Sequence, residues 1–301
     1  MRILVTGTNG LLGQKLVALL REQPGVHVVA TSRGPNKLAA LYPDVRFVQL
    51  DVSRQEEVER VLAQEAPTHL IHTAAMTNAD ECELKREECW LHNVTAVRHV
   101  VAACEAHRVH LTHLSTDFVF SGEQGPLDEQ AEPAPINFYG ESKAAAEKIV
   151  QAARTPWVIV RTVLVYGTAH EYARTNIVLW VRDSLRAGQS IRVVSDQYRT
   201  PTLAEDLAQG CWLVAQQNAT GIYHISSDEV LTPYQMALQV AAHFQLDASL
   251  IAEVDASTFS QPARRPLRTG FVISKARQEL GYRPHTFAEG IAVLEKQTAA
   301  P

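Results

Sequence analysis

The stretch "RILVTGTNGLLGQKLVALL", residues 2–20, decides the fold. "RILVTG" (2–7) is an apolar, β-branched run of the kind that forms a buried strand. "LLGQKLVALLREQ" (11–23) repeats its apolar residues at helical spacing. Between them, and one turn into the helix, stand Gly7, Gly10 and Gly13. A strand that turns tightly into a helix leaves the first helical N–H groups unpaired and the positive end of the helix dipole open, which suits a phosphate. Gly7 permits the turn, Gly10 lets backbone approach a pyrophosphate, and Gly13 allows close helix–sheet packing. Asn9, Leu11 and Leu12 lie on the same turn and join the candidate cofactor contacts. The spacing is G-x-x-G-x-x-G, not the commoner G-x-G-x-x-G. Glycines alone would fit a purely structural turn. The strand before and the helix after favour a dinucleotide.

The alternation continues outward. "HVVATSR" (27–33), "VRFVQLD" (45–51), "THLIHTAA" (68–75), "HLTHLST" (110–116) and "WVIVRT" (157–162) read as further strands. Ser53 and Glu56 form a capping-box pattern before a helix ending near Glu65, and one long helical region covers roughly 80–107. Such alternation implies an α/β, Rossmann-like, doubly wound parallel sheet covered on both faces. The second half is less regular. Helices are expected near 174–187, 203–217, 233–244 and 286–297, with short strands at 191–194 and 222–225. Thr232 before Pro233 suits an N-cap, Gly281 a helix C-cap, and "QTAAP" a loose tail. No linker separates the halves. The expected division is residues 1–165, with parts of 195–220, as a nucleotide-binding domain. Residues 166–301 would then be mostly a smaller, interleaved α/β substrate-binding cap.

A formal net charge of −5 gives no basic footprint for nucleic acid and no polybasic membrane patch. Cys82, Cys89, Cys104 and Cys211 show no metal spacing, so free thiols in a reducing, cytoplasmic setting are expected. The chain shows no signal peptide and no apolar stretch long enough to span a bilayer. A monomer and a homodimer fit the sequence equally.

The second strand ends in Ser32 and Arg33. An acidic residue there would bond the ribose hydroxyls of NAD, whereas a guanidinium suits the 2′-phosphate of NADP. NADP(H) is therefore the expected cofactor, with NAD(H) the alternative. Asp51, at the end of the third strand beside Val52, could bond the adenine amine or cap a loop, and spacing leaves both open.

"NFYGESKAAAEK" (137–148) places Tyr139 four residues before Lys143, on one helical face. A nearby ammonium favours the phenolate, and such a pair can act as general acid or base on a ketone or alcohol. Spacing alone would leave a solvent-facing pair. "STDFVFSG" (115–122) changes the balance, because it starts at the carboxyl end of a strand, where ligands bind in open α/β sheets. A hydroxyl there, on Thr116, could polarise a carbonyl beside the tyrosine.

The glycine loop, the "STD" hydroxyl and the "YGESK" pair resemble the signature of extended short-chain dehydrogenases/reductases. Within them the chain is most similar to the dTDP-4-dehydrorhamnose reductase type. "VVSDQYRTPT" (193–202), "TGIYHISSDEVLTPYQMA" (220–237) and "ARRPLRTGFVISKARQELGY" (263–282) carry that likeness over nearly the full length. The resemblance implies hydride transfer from NADPH to C4 of a nucleotide-linked 4-keto-6-deoxy sugar. Tyr139 would deliver the proton, Lys143 would lower its pKa and hold the cofactor ribose, and Thr116 would hold the ketone oxygen. "HTAAMTNADECE" (72–83) would line the nicotinamide through Thr73, Ala74 and Ala75. Thr77, Asp117, Phe118, Leu164, Gln197 and Arg265 would face the substrate, Arg265 on its diphosphate, with Arg264 left as a solvated turn residue.

Four departures bear on this. Phe118 and Leu164 stand where the family often has tyrosine and tryptophan, so the sugar could differ from rhamnose. Arg199 replaces a usual glycine and could reshape a loop or add an anion contact. Lys15 takes the place of a metal-binding glutamate found in some bacterial members, so no metal site is expected. His110 and His113 read as packing or surface residues. Two rival readings use the same residues: a nucleotide-sugar 4-epimerase, and a non-catalytic, NADP-binding regulatory subunit like that of methionine adenosyltransferase. A 4,6-dehydratase is disfavoured, since Phe118 follows Asp117 where an acid is needed.

Overall fold

The computed structural model describes residues 1–171 and 175–299. Seven strands form one parallel sheet: β1 (Arg2–Thr6), β2 (His27–Ser32), β3 (Arg46–Gln49), β4 (His69–His72), β5 (His110–Thr116), β6 (Trp157–Thr162) and, much later, β10 (Gly221–His224). Their order is β10-β6-β5-β4-β1-β2-β3, so the chain winds outward from β1 in one direction and from β4 in the other. Between β1 and β4, paired as Leu4↔Leu70 and Thr6↔His72, the winding reverses. Open α/β sheets bind ligands at this point, beyond the strands' carboxyl ends.

Side-chain alternation along β1 explains the two layers. Ile3 and Val5 point to one face, where α1 (Leu11–Arg21) and α8 (Ala204–Gln216) cover the sheet through Leu16, Val17, Leu20, Leu207 and Cys211. Leu4 points to the other face. There α2 (Gln55–Glu65), α5 (Ala96–His107) and α6 (Phe138–Gln151) bury Val58, Leu62, Val97, Val100 and Val150. Because strand residues alternate sides, each face of the sheet meets its own layer of helices.

A third core lies in the second half. It joins α7 (Ile177–Arg186), β8 (Ile191–Val194), α9 (Pro233–His243), β11 (Ile251–Val254) and α11 (Phe287–Ala299). The short pair β7 (Val165–Tyr166) and β9 (Thr202–Leu203) stitches β6 to α8, and α10 (Ser274–Leu280) packs on β10 and α8. The second half thus contributes both a sheet strand and a sheet-covering helix.

Three sequence expectations need correction. The capping box at Ser53 does not form: the helix start at Arg54 has no side-chain cap. Asp51 instead closes the turn before the helix, accepting from Ser53 N (3.0 Å) and Ser53 Oγ (2.7 Å) while its own N–H donates to Glu57 Oε2 (3.0 Å). The region 80–107 is not one helix. α3 (Ala79–Leu84) ends at Lys85, where φ is −126° and ψ 58°, and α4 (Arg86–Trp90) runs into a π-helical turn, Leu91–Thr95, before α5. The tail is also helical through Ala299. Residue 174, the expected start of α7, and residues 300–301 lie outside the described residues. The Thr232 cap is a complete capping box with Gln235, and Gly281 ends α10 at φ 70°.

Candidate active site

The carboxyl ends of the central strands open into a cleft of about 1210 Å³, which runs from the glycine turn to Leu164, Gln197 and Arg265. All the sequence-nominated site residues stand on its wall: Gly7, Asn9, Gly10, Leu11, Leu12 and Gly13; Ser32, Arg33, Asp51 and Val52; Thr73, Ala74, Ala75 and Thr77; Thr116, Asp117, Phe118, Tyr139, Lys143, Leu164, Gln197 and Arg265.

At one end α1 starts at Gly10 with no side-chain cap and no acid in its first turn, so its free N–H groups face the cleft. Gly7 has φ 72°, in the region that favours glycine, and a Cβ on Gly13 would lie 2.4 Å from Gly7 O. The turn is therefore closed around bare backbone, and these residues fit a dinucleotide pyrophosphate. Asn9 locks the adjoining loop. Its Nδ2 donates to Ser32 Oγ and Pro35 O, both at 2.8 Å, and its Oδ1 accepts from Lys37 N at 3.2 Å. Arg33 lies 3.4 Å from His92 Nε2, and Lys37 reaches Glu171 O at 2.7 Å. Lys37 and His92 both line the cleft, and the sequence reading passed over them. Lys37 belongs to a loop without periodicity, and His92 to the π-helical turn. Burial alone would raise the Asp51 carboxyl, but the bonds from Ser53 and the charges of Arg33 and His92 hold it below its usual range.

At the other end, Thr116 closes β5 and Asn137 caps α6 by accepting from Gly140 N at 2.8 Å. A Cβ on Gly140 would fall 2.1 Å from Phe118 O, so glycine there lets the start of α6 rest on the segment after Thr116. That contact sets Tyr139 beside Thr116, with the Phe118 and Tyr139 rings edge to face at 5.7 Å. Tyr139 is 9% exposed and Lys143 3%.

The electrostatics differ from the expected lowering of the phenol by the ammonium. Burial, reinforced by Asp117, holds the Tyr139 phenol above its ordinary value, and only its contact with Thr116 pulls the other way. Lys143 donates to Leu114 O (2.6 Å) and lies 3.3 Å from His113 Nε2. Burial pushes it down to about 8, against the opposing charge of Glu147.

On the substrate side, Asp117 accepts from Thr116 Oγ1 (3.0 Å) and from Thr269 Oγ1. Arg199 lies 3.9 Å from Asp117 and donates to the carbonyls of Tyr198 (2.8 Å), Pro266 (2.6 Å) and Leu267 (3.0 Å). It is thus a tie between two loops rather than a free anion contact. Arg265 makes a forked pair with Asp80, its second nitrogen 2.6 Å from Oδ2. Arg264 is exposed, and its carbonyl accepts from Asn137 Nδ2 at 2.8 Å. Leu164 has φ 37°, a strained value for a leucine at the rim. Lys15 pairs with Glu205 at 2.7 Å. Among the described residues no group of three or more His, Cys, Asp or Glu side chains is placed to hold a metal. His110 is a packing residue, its Nε2 2.9 Å from Ala219 O. His113, by contrast, stands against Lys143.

The strand order, the cleft over the switch point and the placing of the Tyr–Lys helix are those of the extended short-chain dehydrogenases/reductases. Within that class the chain belongs to the RmlD substrate binding domain family, whose model matches residues 1–299. It is 32% identical over 293 residues to a probable low-salt glycan biosynthesis reductase of Haloferax volcanii, covering 97% of this chain and 96% of the relative. It is likewise 32% identical to a dTDP-4-keto-6-deoxy-D-glucose reductase of Streptomyces niveus, covering 89% and 87%. Among solved structures, a dTDP-4-dehydrorhamnose reductase from Bacillus anthracis, determined in complex with NADP, matches with a TM-score of 0.86 and 27% identity, covering 98% and 99%.

Proposed function

We propose that this protein is an NADPH-dependent reductase that delivers hydride to C4 of a nucleotide-linked 4-keto-6-deoxy sugar, with Tyr139 as proton donor. The observation that carries the reading is Tyr139 itself, a buried phenol held protonated beside Thr116 at the end of a cleft that starts at an uncapped helix. A general acid for ketone reduction must hold its proton until the oxygen takes on charge. Two of the named relatives are a dTDP-4-keto-6-deoxy-D-glucose reductase and a dTDP-4-dehydrorhamnose reductase, which supports the substrate class.

The glycine turn would hold the pyrophosphate, and Ser32, Arg33 and Lys37 the ribose phosphate. Thr73, Ala74, Ala75 and Lys143 would hold the nicotinamide end, and NADH could serve as the second cofactor. When bound, the reduced nicotinamide supplies the hydride. Thr116 Oγ, whose proton goes to Asp117 here, would turn it to the ketone oxygen, and Tyr139 gives that oxygen the phenol proton. The phenolate left behind is costly in this apolar pocket, and Lys143, on the same face of α6, offsets it. Phe118 and Leu164 give the sugar an apolar wall, Gln197 and Thr77 edge it, and Arg265, held by Asp80, would face the diphosphate. Residues 1–165 and α8 would form the nucleotide half and most of 166–301 the substrate cap. Net reduction is preferred over 4-epimerisation because Ser32 and Arg33 stand where an NAD-retaining enzyme would carry an acid.

A turnover screen of nucleotide-linked 4-keto-6-deoxy sugars, read by NADPH oxidation, tests the proposal. At least one such ketone should consume NADPH stoichiometrically. Epimerised product without net oxidation, or no turnover with any of them, would sink it.

A further inference from the structure

Beneath the Tyr–Lys helix, on the sheet, lies a pair of buried imidazoles that the chemistry above does not use. His72 on β4 and His113 on β5 stack at 5.7 Å with an interplanar angle of 23°. Both are essentially inaccessible, at 2% and 1% exposed.

Donor counting fixes their states. Thr6 Oγ1 accepts from Thr73 N at 3.1 Å and Ala74 N at 3.3 Å, so its own proton goes to His72 Nδ1, 2.9 Å away. His72 is thus protonated on Nε2. The Lys143 ammonium has only donors to offer, so His113 Nε2 accepts from it and His113 carries its proton on Nδ1. His72 Nε2 and His113 Nδ1 are buried without partners. Burial and the neighbouring Lys143 hold both rings neutral, far below the ordinary imidazole range.

An ammonium has three donors. Leu114 O takes one at 2.6 Å and His113 Nε2 another at 3.3 Å, and both partners belong to consecutive residues of β5. The third is left for the cleft, which Lys143 lines. We infer that His113 is a positioning residue: it fixes the Lys143 ammonium to β5, aims its remaining donor into the cleft, and stabilises its charged form. This rests on the reductase reading above for its consequence, not for its geometry. The other ionisable groups acting on Lys143 are Glu147 from its own helix, Cys82 from α3, Cys89 from α4 and His72 from β4, with Tyr139 one turn earlier on α6 in the same cleft. Of these, Glu147 is bonded to Arg161 and Ser115, so it acts on Lys143 at a distance.

The test compares His113→Leu with His113→Gln, whose Oε1 can take the place of Nε2. Removing an acceptor from a buried ammonium disfavours its charged form, so His113→Leu should lower the Lys143 midpoint by about one pH unit. His113→Gln should keep it within a few tenths. The midpoint is read without cofactor from the ¹³Cε resonance of labelled lysine, assigned by its loss in Lys143→Arg. The alkaline limb of kcat against pH should move the same way in the leucine variant and return with glutamine. If the leucine variant does not fold, His113→Met replaces it. An unshifted midpoint in the leucine or methionine variant, or an equal shift in the glutamine variant, overturns the inference. Wild-type protein that oxidises no NADPH with any sugar ketone would instead sink the reductase reading and leave the midpoints standing.

Discussion

Tyr139, Lys143 and Thr116 show what one side chain's surroundings add to its identity. Their order and spacing are visible in the chain, but their ionisation is not. Linear spacing suggests an ammonium that acidifies a phenol. Burial reverses this, keeping the phenol protonated and bringing the lysine down to about 8. His113 was unreadable for the same reason: only the pairing of β5 with its neighbours and the packing of α6 bring it to Lys143. The residue-scale prediction is Tyr139→Phe. It should cut kcat on the order of 10²–10⁴-fold, as expected for loss of a general acid. The NADPH dissociation constant, measured by fluorescence titration, should stay within about twofold, since the lost hydroxyl is assigned to the ketone. Retained turnover would remove the role given to Tyr139.

At the scale of elements, α6 carries more than the Tyr–Lys pair. One turn beyond Lys143, Glu147 is 1% exposed and takes Arg161 Nε at 2.9 Å and a second guanidinium nitrogen at 2.7 Å, while Ser115 also donates to it. This pair fastens α6 to β5 and β6 behind the cleft. Glu147→Ala leaves a buried guanidinium without its carboxylate and should cost about 3–5 kcal/mol in urea unfolding. A loss under about 1 kcal/mol would mean that water or a rearrangement satisfies Arg161. The π-helical turn Leu91–Thr95 is the element the sequence hid. Periodicity through 80–107 looks continuous, because one widened turn displaces the apolar stripe by only a single residue. Yet that turn puts Asn93 across Met76, accepting from its N–H at 2.8 Å and donating to its carbonyl at 2.9 Å, and 3.0 Å from Ser142 Oγ on α6. A single side chain thereby joins the loop after β4 to the Tyr–Lys helix.

At the scale of the whole molecule, the alternation of strands and helices in the first half dictated the doubly wound sheet and hence the switch point. A short strand near 222–225 was legible, but its place in that sheet was not. β10 is four residues long, and nothing in "GIYH" says that it pairs with β6 as Gly221↔Val158 and His224↔Arg161. The sequence places parts of 195–220 in the nucleotide half, and the structure adds the partner: α8 packs on α1. The interleaving has a use: the segment 196–203 that leads into α8 brings Gln197 and Arg199 to the cleft, Arg199 beside Asp117. Hydride reaching C4 of the sugar is the central step. The most direct measurement uses NADPH deuterated at the transferable position of the nicotinamide, with mass spectrometry and NMR of the sugar product. One deuterium is expected, at C4, with one NADP⁺ formed per sugar. Unlabelled product, or a 4-epimer without net NADP⁺, would contradict it.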